Sequence, residues 1–155
     1  MNKKELKLIT GSFSKPSKMP GYSYGLPAWE CKTGSKLALI PGTVCFGCYA
    51  KRGFYSMYKG VKAAQYTRLK SITRPQWVRA MASQINSFKC KEFRWHDAGD
   101  IQSVKHLLKI FKVISFTFSH PASIKIAPMI ASKASSKIEF FLSFDRFAVP
   151  LDNFM

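Results

Sequence analysis

The chain has 155 residues, of which 46% are hydrophobic and 14% aromatic, and 25 basic residues against 8 acidic ones give a formal net charge of +17. The length fits one domain with a single core, and the composition excludes general disorder. No uninterrupted apolar run approaches the roughly 20 residues needed to span a bilayer, and the opening MNKKELKLITGSFSKPSK lacks the apolar stretch of a secretory signal.

A cytoplasmic protein is therefore expected, with no membrane partner. Its four cysteines then read as ligands or buried thiols in place of disulfides. The basic excess favours a polyanionic partner, nucleic acid being the commonest, over a merely solvated lysine-rich surface.

In chain order, residues 1–25 form a basic and aromatic arm. Pro20-Gly21 and Pro27 turn an ordered loop, and Tyr22, Tyr24 and Trp29 pack it against the domain. Aromatics beside lysines are also a pattern for stacking on bases. Residues 26–58 are the stretch around which the rest is organised. Cys31, Cys45 and Cys48 stand there in a C-x13-C-x2-C arrangement. Two cysteines separated by two residues place both sulfurs on one side of a tight turn, which suits neighbouring ligands on a metal or an iron–sulfur cluster. A fourth position is open to Cys90, to a histidine, or to a group that is not protein. Lys36 to Ile40, stopped by Pro41-Gly42, is either a first strand or part of this loop. Lys51 and Arg52 follow the cysteines directly, where they lower thiolate pKa values, balance a cluster's negative charge, or face an anionic substrate.

Residues 59–155 read as βα units. Tyr55 to Leu69 carries Tyr58, Val61, Ala64, Gln65 and Arg68 at helical spacing. A second helix has Thr73 as its N-cap and Pro75 in its first turn, with Trp77, Val78, Met81 and Ile85 on one face. Both helices have basic outer faces. Lys51, Arg52, Lys59, Lys62 and Arg68 are the candidates for nucleic-acid contact. A strand over Phe93 to Asp97 follows, then a turn at Ala98-Gly99. The next helix spans Ser103 to Ile114, with Val104, Leu107, Leu108 and Phe111 as its apolar face and His106 turned to solvent. Phe116 to Ser119 reads as a strand, His120 to Ser136 as a loop and helix interrupted by Pro128, and Ile138 to Phe144 as a last strand. This alternation implies an α/β fold with a parallel sheet. The last strand lacks a covering helix, so the domain is expected to be incomplete.

In such sheets ligands bind beyond the carboxyl ends of the strands. FRWHDAGD is such an end, and Glu92, Asp97 and Asp100 are three of the eight acids. Strand alternation points Arg94 and His96 to one face and Trp95 and Asp97 to the other. Asp100 either caps the following helix or binds a ligand, and Gly99 lets backbone approach closely. Arg94, His96, Asp97 and Asp100 are the candidate catalytic residues, and His120 is a weaker site candidate.

KMPGYSYGLPAWECKTGSKLALIPGTVCFGCYAKRGFY, RPQWVRAM and FRWHDAGDIQSVKHL together resemble the bacteriophage gene product 88 family. The cysteine block followed by Tyr-Ala is similar to phage proteins related to the radical S-adenosylmethionine enzymes. The resemblance implies a partial (βα)n sheet of a reduced half-barrel kind. It implies Cys31, Cys45 and Cys48 as ligands of a 4Fe–4S cluster, and Asp97, Gly99 and Asp100 as contacts to S-adenosylmethionine. The C-x13-C-x2-C spacing is wider than the C-x3-C-x2-C of most such enzymes, and the cysteine-rich C-terminal segment of longer members is lacking. A short or truncated member is expected. The functional expectation is a phage-encoded iron–sulfur protein in the host cytoplasm, acting on or near nucleic acid or a nucleic-acid-handling complex, with radical chemistry as its possible activity. The alternative is a zinc-stabilised, non-enzymatic module that binds nucleic acid or a host protein as an inhibitor or regulator.

Overall fold

A computed structural model describes residues 1–18, 20–88, 92–118 and 125–127. Cys90, His120 and the strand expected over Ile138 to Phe144 lie outside them. Helix α1, Lys3–Thr10, begins with a reciprocal cap. The Glu5 amide donates to the Asn2 side chain and the Asn2 amide donates to the Glu5 carboxylate, both at 2.9 Å. The arm, for which no regular element was expected, thus begins with a helix, specified by an N-x-x-E signal and anchored by the burial of Leu6 and Thr10. The segment read as an ordered loop from Pro20 holds a strand at Tyr22–Tyr24.

Three short strands follow: β1 at Tyr22–Tyr24, β2 at Glu92–Trp95 and β3 at Lys125–Ala127. They form one parallel sheet in the order β1-β2-β3, with Tyr24 opposite Trp95 and Phe93 opposite Ile126. The protein is therefore a mixed helix-and-strand fold around a small parallel sheet. Strand β3 falls where a loop and helix were expected. Between β1 and β2 run α2 (Lys32–Leu37), α3 (Phe54–Met57), α4 (Lys59–Ser71) and α5 (Trp77–Ser87), and α6 (Val104–Phe118) joins β2 to β3. Among the described residues no helix is long and apolar enough to cross a membrane.

The core sits where β1 and β2 meet α5 and α6. Tyr24, Trp77 and Trp95 form a triangle with ring centroids 5.9, 5.9 and 6.0 Å apart, closed by Leu26, Met81, Ile85, Phe93, Ile110 and Val113. Edge-on aromatic packing of this kind adds to the burial of large apolar surfaces. The buried Tyr24 hydroxyl donates to the Thr10 carbonyl at 2.6 Å and accepts from Trp77 Nε1 at 3.1 Å, which ties α1 and α5 to β1.

Arg68, expected on the outer basic face of α4, is 3% exposed. Its guanidinium donates to the carbonyls of Ser12 and Gly25, at 2.7 and 2.9 Å, and to Ser14 Oγ at 2.7 Å. A guanidinium so enclosed must have its donors matched. These bonds hold β1 to α4 and remove Arg68 from any surface a polyanion could touch.

Helix α6 departs from expectation twice. It continues through Phe118, where a strand was expected from Phe116, and it turns a different face inward. His106, Ile110, Val113 and Thr117 are buried, whereas Val104 is 73% exposed and Leu108 and Phe111 are also open. Lys105, Lys109 and Lys112 mark one polar stripe, but the apolar arc opposite is broad and does not by itself say which part turns inward. Packing against α5 selects the part bearing His106.

Candidate functional site

Ladder bonds continue past the end of β2. The His96 amide donates to the Tyr24 carbonyl at 3.0 Å and the Leu26 amide donates to the Ala98 carbonyl at 2.7 Å. Between them His96 takes a φ of 58°, the only non-glycine residue among those described with a positive φ. Such a conformation costs about 1–3 kcal/mol and persists only where the surroundings enforce it. It ends the strand alternation, so His96 does not share a face with Arg94 as expected. Its ring lies 6.1 Å from that of Trp95 and 5.4 Å from that of His106.

Both histidines are buried, including His106, which was expected in solvent. Burial pushes each down to about 4 from the ordinary 6.5; for His106, the nearby His96 and Lys109 lower it further while Asp100 acts in the opposite direction. His106 Nδ1 accepts from the Gln102 amide at 3.2 Å. Among the described residues its Nε2 and both ring nitrogens of His96 have no partner of good hydrogen-bond geometry, although the Tyr24 backbone beside His96 opposes the fall of the His96 pKa.

The loop after β2 holds the acids. Gly99, with φ 75°, has the Leu26 carbonyl oxygen 2.5 Å from where a Cβ would stand. The backbone that comes close to Gly99 is thus the chain's own. Asp100 accepts from the Ile101 amide at 2.7 Å, and the cap of α6 is Ser103, whose Oγ accepts from the His106 amide at 3.1 Å. Asp100 is therefore not the cap of that helix.

Asp97 is the anchor for the cysteine loop. Its carbonyl accepts from the Tyr49 hydroxyl at 2.5 Å and its Oδ2 accepts from the Tyr55 hydroxyl at 3.0 Å. Its Oδ1 is buried without a protein partner and faces Gly25, where any Cβ would collide with it. Ala28, Ala50 and Ala98 pack beneath, with Cys48 and Tyr55 against them. Burial raises the pKa of both tyrosines, and proximity to Asp97 adds to that rise while Arg94 opposes it. Four of the strand-end candidates, Arg94, His96, Asp97 and Asp100, thus fall into two groups. Asp97 and Arg94 face the tyrosine side, whereas His96 packs against His106 and, through it, towards Asp100.

Cys31, Cys45 and Cys48 are free, half-buried thiols in the loop so anchored. A Cβ at Gly34 would lie 3.4 Å from Cys45 Sγ and 3.8 Å from Cys31 Sγ. The missing side chain leaves the space between those two sulfurs clear. Burial pushes the Cys31 thiol up to about 11, with Asp100 and then Cys48 and Cys45 adding to it and Lys51 opposing. Asp100, Cys45 and Cys48 therefore each lie within electrostatic reach of Cys31. The expected juxtaposition of cysteine loop and strand end is present, with Asp100 beside Cys31. No group of three or more His, Cys, Asp or Glu side chains among the described residues is arranged to hold a metal ion as it stands.

Arg52 reaches towards the turn at Gly47, whose φ is 67°. Lys59 and Lys62 are exposed, and Lys62 Nζ lies 4.6 Å from the Trp29 ring centroid.

The sequence did not reveal three residues that shape the site. Tyr49 and Tyr55 clamp the loop to Asp97, and Gly34 clears the space between thiols. A glycine three residues after a candidate ligand was the available signal for Gly34. Tyr55 was hidden in a helical pattern.

The fold and the site define a class: a small parallel-sheet protein with a thiol-bearing loop held against the carboxyl end of its central strand. The sequence model of the family described as Gene product 88 matches residues 1–120. The chain belongs to that family. No curated protein and no solved structure matches it.

Proposed function

We propose that the protein is an iron–sulfur protein of phage type, built as a reduced relative of the radical S-adenosylmethionine half barrel and acting on or near nucleic acid. The observation that carries this reading is that the Cys31 and Cys45 thiols flank side-chain-free Gly34 on one loop, with Cys48 and Asp100 within electrostatic reach of Cys31.

Three thiols on one loop suit a cluster, in which each thiolate binds a different iron and one iron keeps an open position. Binding a cationic centre also replaces the thiol protons that burial retains on Cys31. When bound, such a cluster supplies an electron to its ligand. The chain's own residues do the positioning. Tyr49 and Tyr55 fix the loop on Asp97, the open Oδ1 of Asp97 offers an acceptor, and Asp100 offers a carboxylate beside Cys31. The net charge of +17 supports a polyanionic partner.

Anaerobic purification tests the reading. The protein should be brown, with the broad visible absorption of an iron–sulfur cluster. Cys45→Ser should bleach it while leaving the circular dichroism of the fold unchanged. A colourless protein that carries one zinc per chain contradicts the proposal.

A further inference from the structure

The apolar and aromatic side chains beyond the cysteines have no place in the core. Phe54 is 71% exposed and Tyr58 54% exposed, and their rings stack with centroids 5.6 Å apart and planes 18° from parallel. Phe54 opens α3 and Tyr58 lies between α3 and α4, four residues on, so backbone geometry holds the two rings on one side of the chain. Each ring covers one face of its neighbour and leaves the other open to water. Phe46 and Tyr49 are exposed in the same loop. An exposed aromatic pair of this size is a recognised mark of a binding surface.

Charge identifies what covers it. The sequence holds no aspartate or glutamate between Glu30 and Glu92, so the rings lie in a long carboxylate-free stretch. Arg52, two residues before Phe54, and Lys59 and Lys62, one and four residues after Tyr58, are exposed. Lys62 extends the surface to Trp29 by resting its ammonium on the indole. Two acids contact this region, Glu30 through the Tyr66 hydroxyl at 3.1 Å and Asp97 through the Tyr55 hydroxyl at 3.0 Å, and the three exposed cations outnumber them. Aromatic faces among such cations match unpaired nucleic acid. There the phosphates meet the cations while the bases, free of a partner strand, stack on the rings. A duplex keeps its bases stacked internally and presents only phosphate to such a surface. A protein partner would be expected to meet mixed charges.

We propose that Phe54 and Tyr58 form a stacking platform for single-stranded nucleic acid, with Arg52, Lys59 and Lys62 holding its backbone. This rests on the nucleic-acid part of the proposed function and specifies the strand form bound. It is independent of the cluster.

The test uses fluorescence anisotropy of the full chain with a labelled oligothymidylate and with a duplex of equal length. The single strand should bind more tightly, with affinity falling steeply as salt rises. Phe54→Ala and Tyr58→Ala should each weaken single-strand binding about tenfold and leave duplex binding unchanged. Tyr58→Phe should retain the wild-type affinity. Both rings are exposed, so circular dichroism of the variants should match the parent. Visible absorption of the same preparations reads the cluster separately and should not change with either substitution. Equal affinity for single strand and duplex, with neither variant altering it, would overturn the proposal. So would absence of binding at low salt, or a self-association abolished by Phe54→Ala, which would assign the rings to a second copy of the chain.

Discussion

The two halves of the molecule are held together by different means. Around Trp77, Tyr24 and Trp95, large side chains are buried and the Tyr24 hydroxyl and Trp77 Nε1 are paired, so burial largely fixes the geometry. The cysteine loop encloses little beyond Ala28 and Ala50, and exposes Leu39, Ile40, Val44 and Phe46. Two tyrosine hydroxyls on Asp97 hold it. The contrast is between a scaffold fixed by burial and a loop fixed by a few hydrogen bonds. Local stability should follow the same division.

Acid should expose the difference most strongly. His96 and His106 sit in the scaffold with their pKa values lowered to about 4. The unfolded chain takes up protons near 6.5, so stability should be level above that pH and fall as pH drops from 6.5 towards 4. The upper figure is about 3 kcal/mol for each imidazole. Urea midpoints measured from pH 7.5 to 4.5 should show this fall, and His106→Gln should flatten it. A midpoint that is independent of pH would contradict the burial of neutral histidines.

Trp77→Ala comes next, at about 3–5 kcal/mol. Chemical denaturation should show either a much lower midpoint or no folded state. A loss below 1 kcal/mol would deny the aromatic triangle its role.

Tyr55→Phe, which removes one loop clamp and leaves Asp97 Oδ2 unpaired, should cost only about 1 kcal/mol globally. Its effect should be local. Hydrogen exchange should accelerate over residues 26–58 and stay unchanged over α5. Uniform acceleration along the chain would show that the loop and the scaffold are one cooperative unit.

Much of the scaffold could be read from the sequence. The α5 face carrying Trp77, Met81 and Ile85, and the strand at Phe93 with its Ala98-Gly99 turn, follow from strong periodicity and turn chemistry. The inward face of α6 could not be read, because the apolar arc opposite Lys105, Lys109 and Lys112 is broad and packing buries only the edge of it that carries His106, Ile110 and Val113. Arg68 looked like a surface cation because helical spacing does not report the three acceptors gathered from Ser12, Ser14 and Gly25. Within the site, the cysteines announced themselves by chemistry, and the strand end by its cluster of polar residues. The tyrosine clamps span more than forty residues of sequence, and the positive φ of His96 is imposed by tertiary context. Neither leaves a local trace.

The central claim is the proposal that the thiols of Cys31, Cys45 and Cys48 hold a multi-iron cluster. Iron and acid-labile sulfide determined on anaerobically reconstituted protein test it most directly. The account predicts several of each per chain, about four for a cubane, falling to a small residue in Cys31→Ser, Cys45→Ser and Cys48→Ser alike. Reconstituted protein that holds no sulfide, or that keeps its iron when Cys31, Cys45 and Cys48 are replaced, would contradict it.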